Sequence, residues 1–100
     1  MNVTINEEGA KKIVVLEGRL DTTNADQFQK DINPLMEGEN PNIEFDCTDM
    51  EYTSSQGLRM FLMIQKSVNS RKGKMVMKNM KPQVKKVFDI TGFSNIISIL

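Results

Sequence analysis

The densest run of reactive side chains is Tyr52-Thr53-Ser54-Ser55, four consecutive hydroxyls followed by Gln56, Gly57 and Leu58. Thr53 with Gln56 has the Thr-x-x-Gln spacing of a capping box, which satisfies free amides where a helix begins. One hydroxyl explains a cap. Two further small hydroxyls, and Gly57 inside the first turn at a helix cost of about 1 kcal/mol, ask for another role. Gly57 reads as an opening for another backbone or a bulky partner.

Other chemistry is scarce. The chain has no histidine, which removes Ser-His-Asp and Cys-His catalysis and histidine metal sites. Cys47, the only cysteine, excludes an internal disulfide framework and a cysteine-based zinc cluster. It follows Ile43 and Phe45 at alternate positions and reads as a small buried apolar group. The six glycines form neither a GxGxxG nor a P-loop pattern. Asp21, Asp46 and Asp49 fall near strand ends, where three carboxylates can hold magnesium. Ordinary solvated acids are the better reading, so no metal or cofactor is expected.

The elements that must position the hydroxyl run follow from periodicity. Val3 and Ile5 alternate with polar residues in a short strand. Glu7 to Ala10 turns the chain into a second strand, Lys12 to Glu17. The unbroken Ile13-Val14-Val15-Leu16 suits a strand covered on both faces. Thr22-Thr23-Asn24 opens a helix, with Thr23 and Asp26 as a weak capping pattern. Ala25, Phe28 and Ile32 share its apolar face, and Pro34 ends it between Ile32 and Met36. Ile43, Phe45 and Cys47 make a third strand, followed by a turn at Thr48-Asp49. Leu58, Phe61, Leu62 and Gln65 then keep helical rhythm until Gly73 stops it. Met75-Val76-Met77 is a strand, Pro82 opens a helix ending at Gly92, and Ile96 to Leu100 closes the chain as a strand or helical turn.

This order predicts one α/β domain over residues 1–100, a mixed sheet of four or five strands with helices mainly on one face. The 39% hydrophobic and 26% charged composition is that of a globular protein. No apolar stretch approaches the roughly 20 residues a bilayer requires, and the first residues lack a signal core. A cytoplasmic location is expected, or a targeting segment already removed. Residues 1–50 carry four basic and eleven acidic side chains and residues 51–100 carry nine and two, so the halves hold −7 and +7. Interleaving of the halves in the sheet is expected to compensate these charges. The rival is a nucleic-acid surface made by Arg71, Lys72, Lys74, Lys78, Lys81, Lys85 and Lys86, but no exposed aromatic platform accompanies it. The methionines, Met60, Met63, Met75, Met77 and Met80 among them, read mainly as core filler.

Three segments resemble one family. Asp46-Cys47-Thr48-Asp49-Met50-Glu51-Tyr52-Thr53-Ser54-Ser55-Gln56-Gly57-Leu58 is similar to the Asp-Leu-Ser-x-Val-x-Phe/Tyr-Ile-Asp/Ser-Ser-x-Gly-Leu pattern of STAS domains, in their single-domain anti-sigma factor antagonist form. Glu17 to Ala25 resembles the family's Gly-x-Leu-Asp-x-x-x-Ala, and Lys81 to Phe93 its Pro-x-Val-x-x-Val/Leu-x-x-x-Gly-Leu/Phe helix. The resemblance implies an anti-sigma factor antagonist, a phosphorylation-switched binding module and not an enzyme. It implies an anti-sigma factor with serine kinase activity as partner, a PP2C-type phosphatase that restores the module, and no direct nucleic-acid or membrane partner. Ser55 stands at the phosphoacceptor position. Ser54, where Asp is common, is a competing acceptor, and Thr53 stands where Ile or Met is common. The expected partner surface is Asp21, Thr22, Thr23, Tyr52, Ser54, Ser55, Gln56, Gly57 and Arg59. An alternative within the family is an accessory subunit of a lipid or solute transporter complex.

Overall fold

The computed structural model describes residues 1–100. A hairpin comes first: β1 (Asn2–Glu8) and β2 (Lys11–Leu20). Its turn uses Gly9 at φ +61°, a conformation glycine adopts without steric cost. Antiparallel register sets Val3 opposite Leu16 and Ile5 opposite Val14. Then follow α1 (Ala25–Ile32), a 3-10 turn (Asn33–Met36), β3 (Asn42–Thr53), α2 (Ser55–Ser70), β4 (Lys74–Lys78), α3 (Pro82–Ile90), a second 3-10 turn (Phe93–Asn95) and β5 (Ser98–Ile99). The sheet order is β1-β2-β3-β4-β5, with every pair after the hairpin parallel. Each crossover therefore steps the same way along the sheet. Right-handed crossovers that all step one way place all three helices on one face. The expected mixed α/β sheet is the structure found.

The core lies between that face and the helices. Phe28 of α1, Phe45 of β3, Phe61 of α2 and Phe88 of α3 are fully buried. Phe61 is the hub, with ring centroids 5.5 Å from Phe28, 5.7 Å from Phe45 and 6.1 Å from Phe88. Met50, Met60, Met75 and Met77 fill the space between, whereas Met63 is 39% exposed. Cys47 is buried as expected, and loss of hydration pushes its thiol pKa up to about 12, with the Asp46 charge adding to the shift.

Three expectations change. Val14 and Leu16 are buried, but Ile13 and Val15 are only half-buried on the opposite face, which no helix covers. The apolar run marks a strand central in hydrogen bonding, not one covered on both sides. The halves of the chain do not interleave, because strand order follows sequence order. Charge stays separated across the molecule, bridged where Glu44 of β3 meets Lys11 at 2.8 Å and Lys78 at 2.9 Å. The turn expected at Thr48-Asp49 is part of β3. Val15 pairs with Asp46 but Glu17 with Asp49, and Gly18 pairs with Met50 but Arg19 with Tyr52. Each step inserts one extra residue into β3, so β3 carries two bulges. At the first, Asp46 Oδ1 accepts the Thr48 amide (3.1 Å) and hydroxyl (2.6 Å).

The end of α2 also differs from the expected glycine stop. Lys72 takes the left-handed position at φ +60°, and Gly73 serves close approach, since a Cβ there would lie 2.3 Å from the Pro41 carbonyl oxygen. Arg71 locks this corner. Its guanidinium donates to the carbonyls of Leu35 (2.8 Å), Glu37 (2.8 Å) and Gly38 (3.3 Å), and its Nε to that of Ser67 (3.2 Å). A lysine ammonium cannot reproduce that planar fork. Arg71→Lys is expected to cost about 1.5–3 kcal/mol, read as a lower denaturant midpoint with an unchanged slope.

Candidate functional site

The hydroxyl run lies at the carboxyl ends of β2 and β3. Leu20 pairs with Thr53, the last residues of their strands, and the Ser54 amide donates to the Leu20 carbonyl at 2.8 Å. That bond sets Asp21, which follows Leu20, beside the start of α2. The cap differs from the expected box. Ser54, in extended conformation, is the N-cap, and its Oγ accepts the Gly57 amide at 3.2 Å. Thr53 is 3% exposed and donates its hydroxyl to the Ser54 carbonyl at 3.3 Å. The four hydroxyls thus divide by environment: Thr53 buried, Ser54 half-buried as the cap, Tyr52 and Ser55 exposed.

Gly57 has an internal purpose. It is buried, and a Cβ there would lie 2.2 Å from Thr53 Oγ1 and 2.9 Å from Leu20 Cδ2. The helix start therefore packs directly on the ends of both strands. Of the two alternatives its spacing offered, another part of the chain or a bulky partner, Gly57 admits its own chain, and it is not among the exposed residues of the corner. Gln56 and Arg59 are exposed on the first turns of α2.

The loop after β2 supplies the neighbouring wall. Asp21 Oδ1 accepts the Thr23 amide at 2.9 Å and the Thr23 hydroxyl at 2.5 Å. Asn24 ties the loop from beneath: its Oδ1 accepts the Asp21 amide at 2.9 Å, and its Nδ2 donates to the Arg19 carbonyl at 2.8 Å. Neither Thr23 nor Asn24 caps α1 with a side chain, so the Thr23–Asp26 pattern is not a cap. Thr22 and Thr23 are exposed and Asp21 half-exposed. The hydrogen bonds from Thr23 hold the Asp21 carboxyl below the usual carboxylate range.

Two residues of this corner escaped the sequence reading. Asn24 is the tie described above, and its only signal was its place at a helix start. Arg19 stacks on Tyr52 with its guanidinium carbon 4.3 Å from the ring centroid. That contact needs a register shifted by both bulges of β3, which periodicity does not reveal. The carboxylates Asp21, Asp46 and Asp49 do not gather: the structure holds no group of three potential metal ligands. Nor does the corner contain a cleft. The four surface clefts, of about 230 to 430 Å³, are lined by none of the residues Asp21–Thr23 or Tyr52–Arg59. A reachable hydroxyl on a shallow surface suits contact with another protein better than enclosure of a small substrate.

A sequence profile described as the STAS domain matches residues 2–100. The chain belongs to the STAS family. It is 28% identical to BtrV of Bordetella bronchiseptica over 99 residues, covering 99% of this chain and 85% of that one. It is 27% identical to the anti-sigma-B factor antagonist of Bacillus subtilis over 99 residues, covering 99% and 90%. The fold is shared with the unphosphorylated anti-sigma factor antagonist SpoIIAA (TM-score 0.81, 19% identity, 99% and 88% covered) and with the phosphorylated Bacillus SpoIIAA (TM-score 0.72, 16% identity, 99% and 91% covered). It also recurs in the murine anion transporter Slc26a9, of which this STAS chain matches only 15% (TM-score 0.76, 17% identity, 90% of this chain covered).

Two outcomes test the geometry of this STAS corner. Gly57→Ala gains about 1 kcal/mol of helix propensity but overpacks Leu20 and Thr53 at about 1–3 kcal/mol, so its melting temperature is expected to fall by several degrees. The lowered Asp21 pKa means that its loop bonds persist above the unfolded value and are lost as pH falls through the lower folded value. NMR titration is expected to show Asp21 titrating below the ordinary aspartate value, and Thr23→Ala to return it toward that value.

Proposed function

We propose that this chain is an anti-sigma factor antagonist whose docking surface is switched off by phosphorylation of Ser55. The observation that carries this reading is the division of labour among the hydroxyls. Ser54 holds the Gly57 amide and Thr53 is buried, while Ser55 begins α2 exposed. Ser55 is thus the hydroxyl a kinase reaches without undoing the cap, and it takes precedence over Ser54 as acceptor. Phosphate adds about −1.5 to −2 charges at neutral pH. At a helix N-terminus that charge meets free amides and the positive end of the dipole, a gain of about 0.3–1 kcal/mol, so the fold tolerates it.

The change acts at the contact. A partner packed over Asp21, Thr22, Thr23, Tyr52, Ser54, Gln56 and Arg59 must desolvate the dianion on Ser55. A loss of about 2.7 kcal/mol weakens binding about a hundredfold. The partner is an anti-sigma factor with serine kinase activity, and a PP2C-type phosphatase resets the switch. In this reading the chain is a cytoplasmic kinase substrate and not an enzyme. No helix is long and apolar enough to cross a membrane.

The nucleic-acid rival keeps part of its basic set, since Lys72, Lys74, Lys81 and Lys86 make no ion pair. Arg71 is spent on main-chain carbonyls, Lys78 on Glu44 and Lys85 on Asp89. The transporter-subunit alternative needs the same surface but no kinase, and the two part on whether the hydroxyl is modified.

The chain is to be incubated with ATP and each histidine-kinase-like ATPase encoded in its genome, and the product mapped by mass spectrometry. Phosphate is expected on Ser55, retained in Ser54→Ala and lost in Ser55→Ala. Ser55→Asp is expected to bind the labelling ATPase about a hundredfold more weakly with a nearly unchanged melting curve. Efficient labelling of Ser55→Ala, or collapse of Ser55→Asp, defeats the reading.

A further inference from the structure

Arg19 and Tyr52 face one another across β2 and β3 at the end of the uncovered sheet face. Their neighbours Leu20 and Thr53 point into the core, so alternation turns both side chains outward. Tyr52 is 39% exposed and Arg19 is exposed. The guanidinium carbon lies 4.3 Å from the ring centroid, so one face of the cation is covered by the ring. Asn24 reaches this residue only at its main-chain carbonyl, and the ion pairs of the chain involve Lys11, Lys78 and Lys85 but not Arg19. The guanidinium fork is therefore pre-set by stacking and makes no side-chain hydrogen bond or close ion pair of its own. A fork of this kind matches a carboxylate in two parallel hydrogen bonds, and pre-ordering reduces the entropy lost on binding.

The surroundings narrow the ligand further. Glu17, Asp21, Asp49 and Glu51 flank Arg19 and Tyr52 along the two strands and the adjoining loop. Arg19 and the Met1 ammonium, which lies beside Gly18, are the cations of an otherwise acidic setting, and the Asp21 carboxylate partly answers the Arg19 charge. Its complement is one carboxylate in a weakly basic setting, not a polyanion.

We propose that Arg19, held flat on Tyr52, is an anchor of the docking surface that takes a single Asp or Glu side chain of the partner protein. The proposal rests on the docking reading above and adds its chemistry. Tyrosine and arginine are also the residues in which binding energy concentrates at protein interfaces.

The test uses the full chain and the ATPase that labels Ser55. Arg19→Gln is expected to weaken binding at least about tenfold while melting within about two degrees of the native chain. Arg19→Lys is expected to recover little of that loss, because an ammonium lacks the fork. Tyr52 is the only tyrosine, so incorporated 3-fluorotyrosine gives a single ¹⁹F resonance. It is expected to shift on binding in the native chain. Native affinity in Arg19→Gln, with Ser55→Asp still defective, overturns the anchor and leaves the docking reading intact. A large fall in melting temperature in Arg19→Gln assigns the pair to the fold and also overturns it. If no ATPase binds the native chain, the docking reading falls first and the anchor with it.

Discussion

The corner that matters is built around a missing atom. Without a Cβ at Gly57, the first turn of α2 settles directly on Leu20 and Thr53, the last residues of β2 and β3. That contact decides where the helix begins. It makes Ser54 the cap and leaves Ser55 exposed on the first turn. The Ser54 amide bond to the Leu20 carbonyl then brings the Asp21 loop alongside. Hydrogen bonds and chain direction arrange the rest, but they act on a helix whose position the glycine permits.

Further out, the fold supplies rigidity by a different route. The phenylalanines of α1, α3 and β3 converge on Phe61 of α2, so each helix is keyed to the same ring. Truncating such a residue costs about 3–5 kcal/mol, a large share of the ~5–15 kcal/mol that a domain possesses. The phosphate reading requires this stiffness. A surface that can gain two charges without rearranging must be held from behind, and α2 is held at its start by Gly57 and along its length by Phe61.

Much of this was legible in the sequence. Element order, helix faces and the sheet class followed from periodicity, and the hydroxyl run marked the corner where α2 begins. What was hidden has physical causes. The bulges of β3 move the inward positions to Cys47, Met50 and Thr53, which destroys the period of two and imitates a turn. Because β3 in fact runs on to Thr53, Ser54 and not Thr53 is the cap. The stacking of Arg19 on Tyr52 depends on the same displaced register. The apolar run of β2 misled for another reason: Ile13 and Val15 are as apolar as their buried neighbours and imitate a strand covered on both sides, although helices mainly on one face were expected and found. The role of Gly73 was missed because close approach to Pro41 is a tertiary contact with no local signal.

Strand order has one more consequence. A sheet laid down in chain order sets the mostly acidic first half and the mostly basic second half toward opposite flanks, so a molecule with zero net charge carries unlike charge on its two sides. Such molecules align head to tail when counter-ions are scarce and separate once the Debye length shrinks to about 10 Å near 0.1 M salt.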